Sequence, residues 1–212
     1  MACKILHQII CNVTRRVICA TLSQVSLITT QQTAMAWTAI AVWILIGEPL
    51  SAQPREILII RHAEKPDSSG DPNLTPRGYA RAVALLQFFS STFDTPDYVF
   101  ATQGSKHSNR PVQTLTPLAG ALHMALDSKV ADADYVLLAQ DILTNPQYTG
   151  KMLIICWHHG TIPALAKALG ISDPPHSWPD TVFDRVWRIQ YTDSGPTLAN
   201  LPQHILFGDS KE

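Results

Sequence analysis

The chain has 212 residues, room for one domain, with 16 basic and 17 acidic side chains and a formal charge of −1. That balance gives no general reason to expect nucleic acid or an anionic membrane as partner. The apolar and charged fractions, 46% and 16%, are those of an ordinary globular protein, and the absence of internal repeats, low-complexity tracts or heptads excludes solenoid, disordered and coiled-coil readings.

The first fifty residues read as a leader. Residues 34–47, AMAWTAIAVWILIG, form an apolar run of signal-peptide length, shorter than the roughly 20 residues of a spanning helix. Pro49 and the small residues Ser51 and Ala52 follow, which places a cleavage site after Ala52. The region before the run is long, and a start at Met35 would leave no positive charge ahead of it. The expected organisation is therefore a leader over 1–52 and a working domain over 53–212, secreted or periplasmic. The alternative is an uncleaved membrane anchor over the same leader. Three cysteines (Cys3, Cys11, Cys19) lie in the leader and only Cys156 lies beyond it. A lone cysteine forms no internal disulfide, no Cys/His spacing reads as a zinc site, and Cys156 within MLIICW reads as a small buried apolar residue.

EILII at 56–60 has the continuous apolar character of a strand buried on both faces. LTPRGYARAVALLQFFSS reads as a helix with Thr75 as N-cap and Pro76 in its first turn. PDYVFA (96–101) is a second strand, and NRPVQTLTPLAGAL is a second helix starting near Asn109. DADYVLLAQDIL (132–143) is a short helix stopped by Asn145-Pro146, and KMLIICW (151–157) is a buried strand. IPALAKALG is a helix closed by Gly170, and DRVWRIQY (184–191) alternates as a strand. Strands alternating with helices predict an α/β layered fold with a mainly parallel sheet, whose ligands bind beyond the carboxyl ends of the strands.

At that edge the sequence sets Arg61-His62 after strand one, Arg110 at a helix start after strand two, and His158-His159 after KMLIICW. Arginines and histidines with few carboxylates among them make an oxyanion pocket, since the guanidinium fork binds phosphate or carboxylate oxygens bidentately. Neighbouring cations disfavour protonation of His62, and a neutral imidazole is a competent nucleophile.

The motifs LIIRHAEK, LTPRGYARA, RPVQT and WHHGTIPALAKAL, in that order and on those elements, resemble the histidine phosphatase (phosphoglycerate-mutase-like) superfamily over nearly all of residues 56–191. The resemblance implies a three-layer α/β/α sandwich with a mainly parallel central sheet. It also implies phosphomonoester hydrolysis through a phosphohistidine on His62, with no metal and no cofactor. Arg61, Arg110 and the late histidine would hold the phosphoryl oxygens. Apolar residues at +4, +7 and +11 from His158 (Ile162, Leu165, Leu169) match the family pattern and favour His158 for that place, with His159 structural or at the rim; a shift of one residue would instead choose His159, which Gly160 follows directly as in a plain His-Gly motif.

The resemblance also implies a carboxylate acid between Arg110 and the late histidine; Asp132 and Asp134 are the candidates, and both could equally be N-caps. Glu64 fits a loop-orienting or rim place better than a proton transfer, and Lys106 and His107 would line the pocket mouth. Trp178 is a candidate substrate contact and Trp187 a core residue. The implied partner is a phosphorylated small molecule or other phosphoester. It is neither nucleic acid nor, unless the leader is retained, membrane. Two alternatives share the fold: a phosphate-binding protein without turnover, and a phosphomutase, for which the domain has little room for enclosing insertions.

Overall fold

The computed structural model describes residues 53–67 and 70–210; residues 1–52, expected from sequence to be a leader ending in a cleavage site, residues 68 and 69, and residues 211 and 212 lie outside the described residues. Ile57, Leu58, Ile59 and Ile60 are all buried in strand β1 (Glu56–Arg61), as a continuous apolar run requires of a central strand. Its neighbours are β4 (Met152–Trp157), parallel, and β5 (Arg185–Thr192), antiparallel. Beyond β4 lie β2 (Tyr98–Ala101) and the two-residue β3 (Leu126–Asp127), both parallel. Strand β6 (Gly195–Pro202) closes the other edge, antiparallel to β5. The six-stranded order is β3-β2-β4-β1-β5-β6.

Alternation along β1 and β4 sends their side chains into two cores. On one face Leu58, Ile60, Ile154 and Cys156 pack with Leu85, Phe89, Leu115 and Leu118 from helices α1 (Pro76–Thr92) and α2 (Arg110–Ala121). On the other, Ile57, Ile59, Ile155 and Trp157 meet Leu138, Ile142, Leu165 and Leu169, contributed by α3 (Tyr135–Thr144), by α4 (Ile162–Ala168) and by its C-cap. This is the expected α/β/α sandwich with a mainly parallel sheet, and Cys156 is buried in it. Each of these aliphatic side chains contributes about 1.5–3 kcal/mol by leaving water. Among the described residues no helix is long and apolar enough to cross a membrane.

Several element ends match their sequence signals. Thr75 Oγ1 accepts from the Gly78 N–H at 3.0 Å, capping α1. Gly170 takes φ +100° after α4, and its N–H donates to the Lys167 carbonyl at 3.0 Å. The segment expected as one helix from 132 instead begins with a 3-10 turn at Asp132–Asp134, and neither aspartate makes a side-chain capping bond. The Asp132 carboxylate is thus left for another partner.

Candidate active site

Strand register sets the site. Arg61 pairs with Trp157 across the parallel β1–β4 ladder, so the residues that follow, His62 and His158, leave the sheet side by side. The His62 N–H donates to the Trp157 carbonyl at 3.2 Å, and the two imidazoles meet edge-on with centroids 5.5 Å apart. Ala101 of β2 lies beside Cys156, so the loop 102–109 starts at the same edge and delivers Ser108 and then Arg110, the first residue of α2.

His62 is 2% exposed. Its Nδ1 lies 2.7 Å from the Ala63 carbonyl oxygen, which only accepts. Nδ1 therefore carries the ring proton and Nε2 keeps its lone pair. Burial pushes the His62 pKa down to about 3, aided by the charges of Arg61, His158 and Arg110 and opposed by the bond to Ala63. The imidazole is neutral at ordinary pH.

The turn that carries His62 is pinned by the other motifs. Thr114 Oγ1 accepts from the Ala63 N–H at 2.9 Å and donates to the Arg110 carbonyl at 2.8 Å. Gln113 accepts from the Leu74 N–H at 3.0 Å and donates to Asn73 at 2.8 Å. The RPVQT segment thus supplies one pocket arginine and two fasteners. Gly78 is required for a different reason: a Cβ there would stand 2.5 Å from the Glu64 carbonyl oxygen. The nucleophile turn and the start of α1 touch backbone to backbone.

Arg61 is 1% exposed and is held by the loop before β5. Its Nη1 donates to the carbonyls of Pro179 (3.2 Å), Asp180 and Val182 (3.1 Å), and Nη2 reaches Asp180 Oδ1 at 3.2 Å. The guanidinium lies 3.9 Å over the Phe183 ring. Burial lowers its pKa to about 10, so it stays charged. Arg110 donates from Nη1 to the Asp71 carbonyl at 2.7 Å, and burial lowers its pKa too. Among the described residues, each of these arginines retains a buried Nε–H with no acceptor. Two such donors among groups that depress one another's protonation describe a pocket built for an anion.

His158 closes the arrangement. Its Nε2 is 3.1 Å from Ser108 Oγ, and its Nδ1 faces Asp132 Oδ1 at 3.3 Å, off the line of a hydrogen bond. The other Asp132 oxygen accepts from Thr161 Oγ1 at 2.9 Å. Burial lowers the basicity of His158, with the Asp132 carboxylate opposing. His159 points elsewhere, its Nε2 lying 3.4 Å from Asp180 Oδ1.

The sequence-derived set is therefore divided. Arg61, His62, Arg110, His158 and Asp132 come together, while His159 stands beside them on Asp180. Lys106 and His107 are exposed in the loop that carries Ser108. Glu64 is not free at a rim: its oxygens accept from Arg77 Nε at 3.0 Å and from Arg81 Nη2 at 2.8 Å, and both arginines also hold Asp209. A cavity of about 640 Å³ opens beside Glu64, Arg81, Phe183 and Asp209, but neither histidine nor Arg110 lines it. Trp178, a candidate substrate contact from sequence, is buried; its indole N–H donates to the Val182 carbonyl at 2.8 Å and its ring packs on Trp187. Sequence reasoning missed Ser108 and Asp180. Ser108 carries a weak signal, two residues before the motif arginine; Asp180 carries none, being 119 residues from the arginine it binds.

No family model matches the chain, and no curated protein matches it. Solved structures do. The protein histidine phosphatase SixA, determined with tungstate, is 15% identical with a TM-score of 0.53, the match covering 70% of this chain and 97% of that one. Phosphoserine phosphatase from Entamoeba histolytica, in complex with 3-phosphoglyceric acid, is 16% identical with a TM-score of 0.50 over 71% and 99%. A mycobacterial glucosyl-3-phosphoglycerate phosphatase is 14% identical with a TM-score of 0.50 over 68% and 97%. The likeness is one of fold: the chain has the phosphoglycerate-mutase-like α/β fold of these structures.

Proposed function

We propose that the protein is a phosphomonoester hydrolase that works through a phosphohistidine on His62, without a metal. The observation that carries the reading is the His62 tautomer. Nδ1 is committed to the Ala63 carbonyl, and Nε2 is an unprotonated nucleophile among cations. Nε2 attacks phosphorus as the bond to the ester oxygen breaks. Arg61, Arg110 and His158 hold the phosphoryl oxygens and stabilise the transition-state charge. Water then attacks the phosphorus, the P–N bond breaks, and phosphate leaves.

The proton for the departing oxygen is assigned to Asp132. Glu64 is enclosed by guanidinium donors, and Lys65 holds the Asp180 carboxyl below the usual range. Asp132 pairs instead with a histidine and a threonine hydroxyl, so its carboxyl is free of a permanent cation. It gives its proton to the leaving oxygen and takes one from the attacking water. Export of the domain, with the leader over 1–52 removed or kept as an anchor, is part of the same proposal and rests on the apolar run before residue 48.

The test is hydrolysis of p-nitrophenyl phosphate in the presence of chelator, with His62→Ala as control. Chelator-insensitive turnover that is lost in the variant supports the reading. Tight phosphate binding with no turnover of any phosphoester would make the protein a binding module instead.

A further inference from the structure

The loop before β5 does more than cover Arg61. Trp178 and Val182 anchor its ends, while Pro179, Asp180 and Thr181 form an exposed turn closed by a bond from the Val182 N–H to the Pro179 carbonyl at 3.1 Å. The turn's backbone is fixed by the three carbonyls on Arg61 Nη1. The Asp180 side chain is not fixed in that way. It is 64% exposed, and its Oδ1 alone meets three cationic or ionisable groups: Arg61 Nη2 at 3.2 Å, His159 Nε2 at 3.4 Å and Lys65 Nζ at 3.5 Å. A rotation of this side chain would release all three without disturbing the turn.

Charge bookkeeping indicates what belongs there. Among the described residues Asp180 is the one carboxylate that ion-pairs with Lys65, and the same oxygen serves Arg61 and His159, so a carboxylate or phosphate oxygen placed there would meet the same three groups. We propose that Lys65, His159 and the outer edge of Arg61 form a second anion subsite at the pocket mouth, in which the Asp180 carboxylate stands in for an anionic group of the substrate's organic part. This deepens the phosphatase reading and rests on it. The favoured substrates are phosphomonoesters carrying a carboxylate or a second phosphate, and Asp180 tunes the preference by competing with that group. A substrate with a neutral organic part leaves Asp180 in place.

Matched esters separate the effects: phenyl phosphate and 4-carboxyphenyl phosphate, assayed with wild type, Asp180→Asn, Lys65→Gln and the double variant. The quantity read is the ratio of kcat/KM for the carboxylated ester to that for the plain one. Removing the competing carboxylate is expected to raise the ratio about fivefold, and removing Lys65 to lower it by a similar factor, the scale of an exposed ion pair. The double variant is expected to depart from the product of the single effects. A ratio unmoved in both single variants, or lowered in Asp180→Asn, overturns the subsite. General damage to Arg61 positioning would lower both esters together and leave the ratio alone. If wild type turns over neither ester, the phosphatase reading fails, and the dissociation constants of the same two compounds, by calorimetry on the same variants, decide the subsite.

Discussion

Two arginine pairs, Arg77 with Arg81 around Glu64 and Arg61 with Arg110 around His62, flank the same short turn after β1 and differ in how completely they are paired. Around Glu64 everything is matched. Arg81 donates to Glu64, Asp209 and Gln203, and Arg77 donates to Glu64, Asp209 and the Phe207 carbonyl. Around His62 the arginines bind mostly backbone carbonyls, and each keeps a buried Nε–H without an acceptor. The first cluster ties the nucleophile turn and α1 to the C-terminal tail; in the second, Arg61 has one exposed carboxylate, Asp180, and Arg110 binds a backbone carbonyl. Arginine content does not distinguish a site from a strut. What distinguishes the cluster around His62 is that unmatched donors of two arginines stand beside a buried, neutral histidine, whereas Arg188 has an unmatched Nε–H of its own while it braces Glu56.

The comparison can be broken by substitution. His62→Ala removes the attacking atom and is expected to reduce kcat by roughly four orders of magnitude, measured with p-nitrophenyl phosphate. Its melting temperature should fall by a few degrees with the fold kept, since the buried ring leaves a cavity but its one hydrogen bond is to its own neighbour's carbonyl. Arg110→Ala is expected to cost about 100- to 1,000-fold in kcat, the effect of deleting one preorganised donor to the transition state. Arg81→Met is the counterpart in the paired cluster. It leaves Glu64 and Asp209 with Arg77 as their remaining guanidinium and Gln203 without its donor, and urea denaturation should show a loss of about 1–3 kcal/mol. Its effect on kcat should be smaller than that of Arg110→Ala. A stable Arg81→Met with activity as low as Arg110→Ala would erase the distinction between the clusters.

Acid sharpens it further. His62 is held neutral with a pKa near 3, whereas in the unfolded chain an ordinary histidine takes up its proton near pH 6.5. Between those values the unfolded state binds the extra proton, so stability present above pH 6.5 is lost as pH falls towards 3. The slope is about 1.4 kcal/mol per pH unit for this group. Asp209, with its carboxyl lowered below the usual range by Arg81 and backbone donors against the effect of burial, adds a loss at lower pH in the same direction. Thermal melts from pH 7 to pH 4 should be shallower in His62→Asn than in wild type; equal slopes would mean that His62 is not held neutral.

Much of this was legible in the sequence, for physical reasons that vary by element. β1 and β4 announce themselves because strands buried on both faces must be apolar throughout, and α1 because Thr75 and Pro76 mark its start. The +4, +7, +11 spacing after His158 pointed to the histidine that the β1–β4 register sets against His62. β6 was not legible: it is an edge strand beginning Gly195-Pro196, with no fully buried residue and no apolar alternation to mark it. Asp180 and Asp209 were invisible for another reason. Each acts on an arginine more than a hundred residues away, and local patterns carry no trace of such pairings. Glu64 lies inside the signature, but only the arginines folded against it show that its carboxylate is committed to structure.

The central claim is that Nε2 of His62 forms a bond to phosphorus, and rapid-quench trapping of the enzyme with a radiolabelled phosphomonoester tests it most directly. The account predicts a transient protein label that is stable in base, lost in acid, mapped to the peptide containing His62, and absent from His62→Ala. A label that survives acid, or one on any other residue, would contradict it.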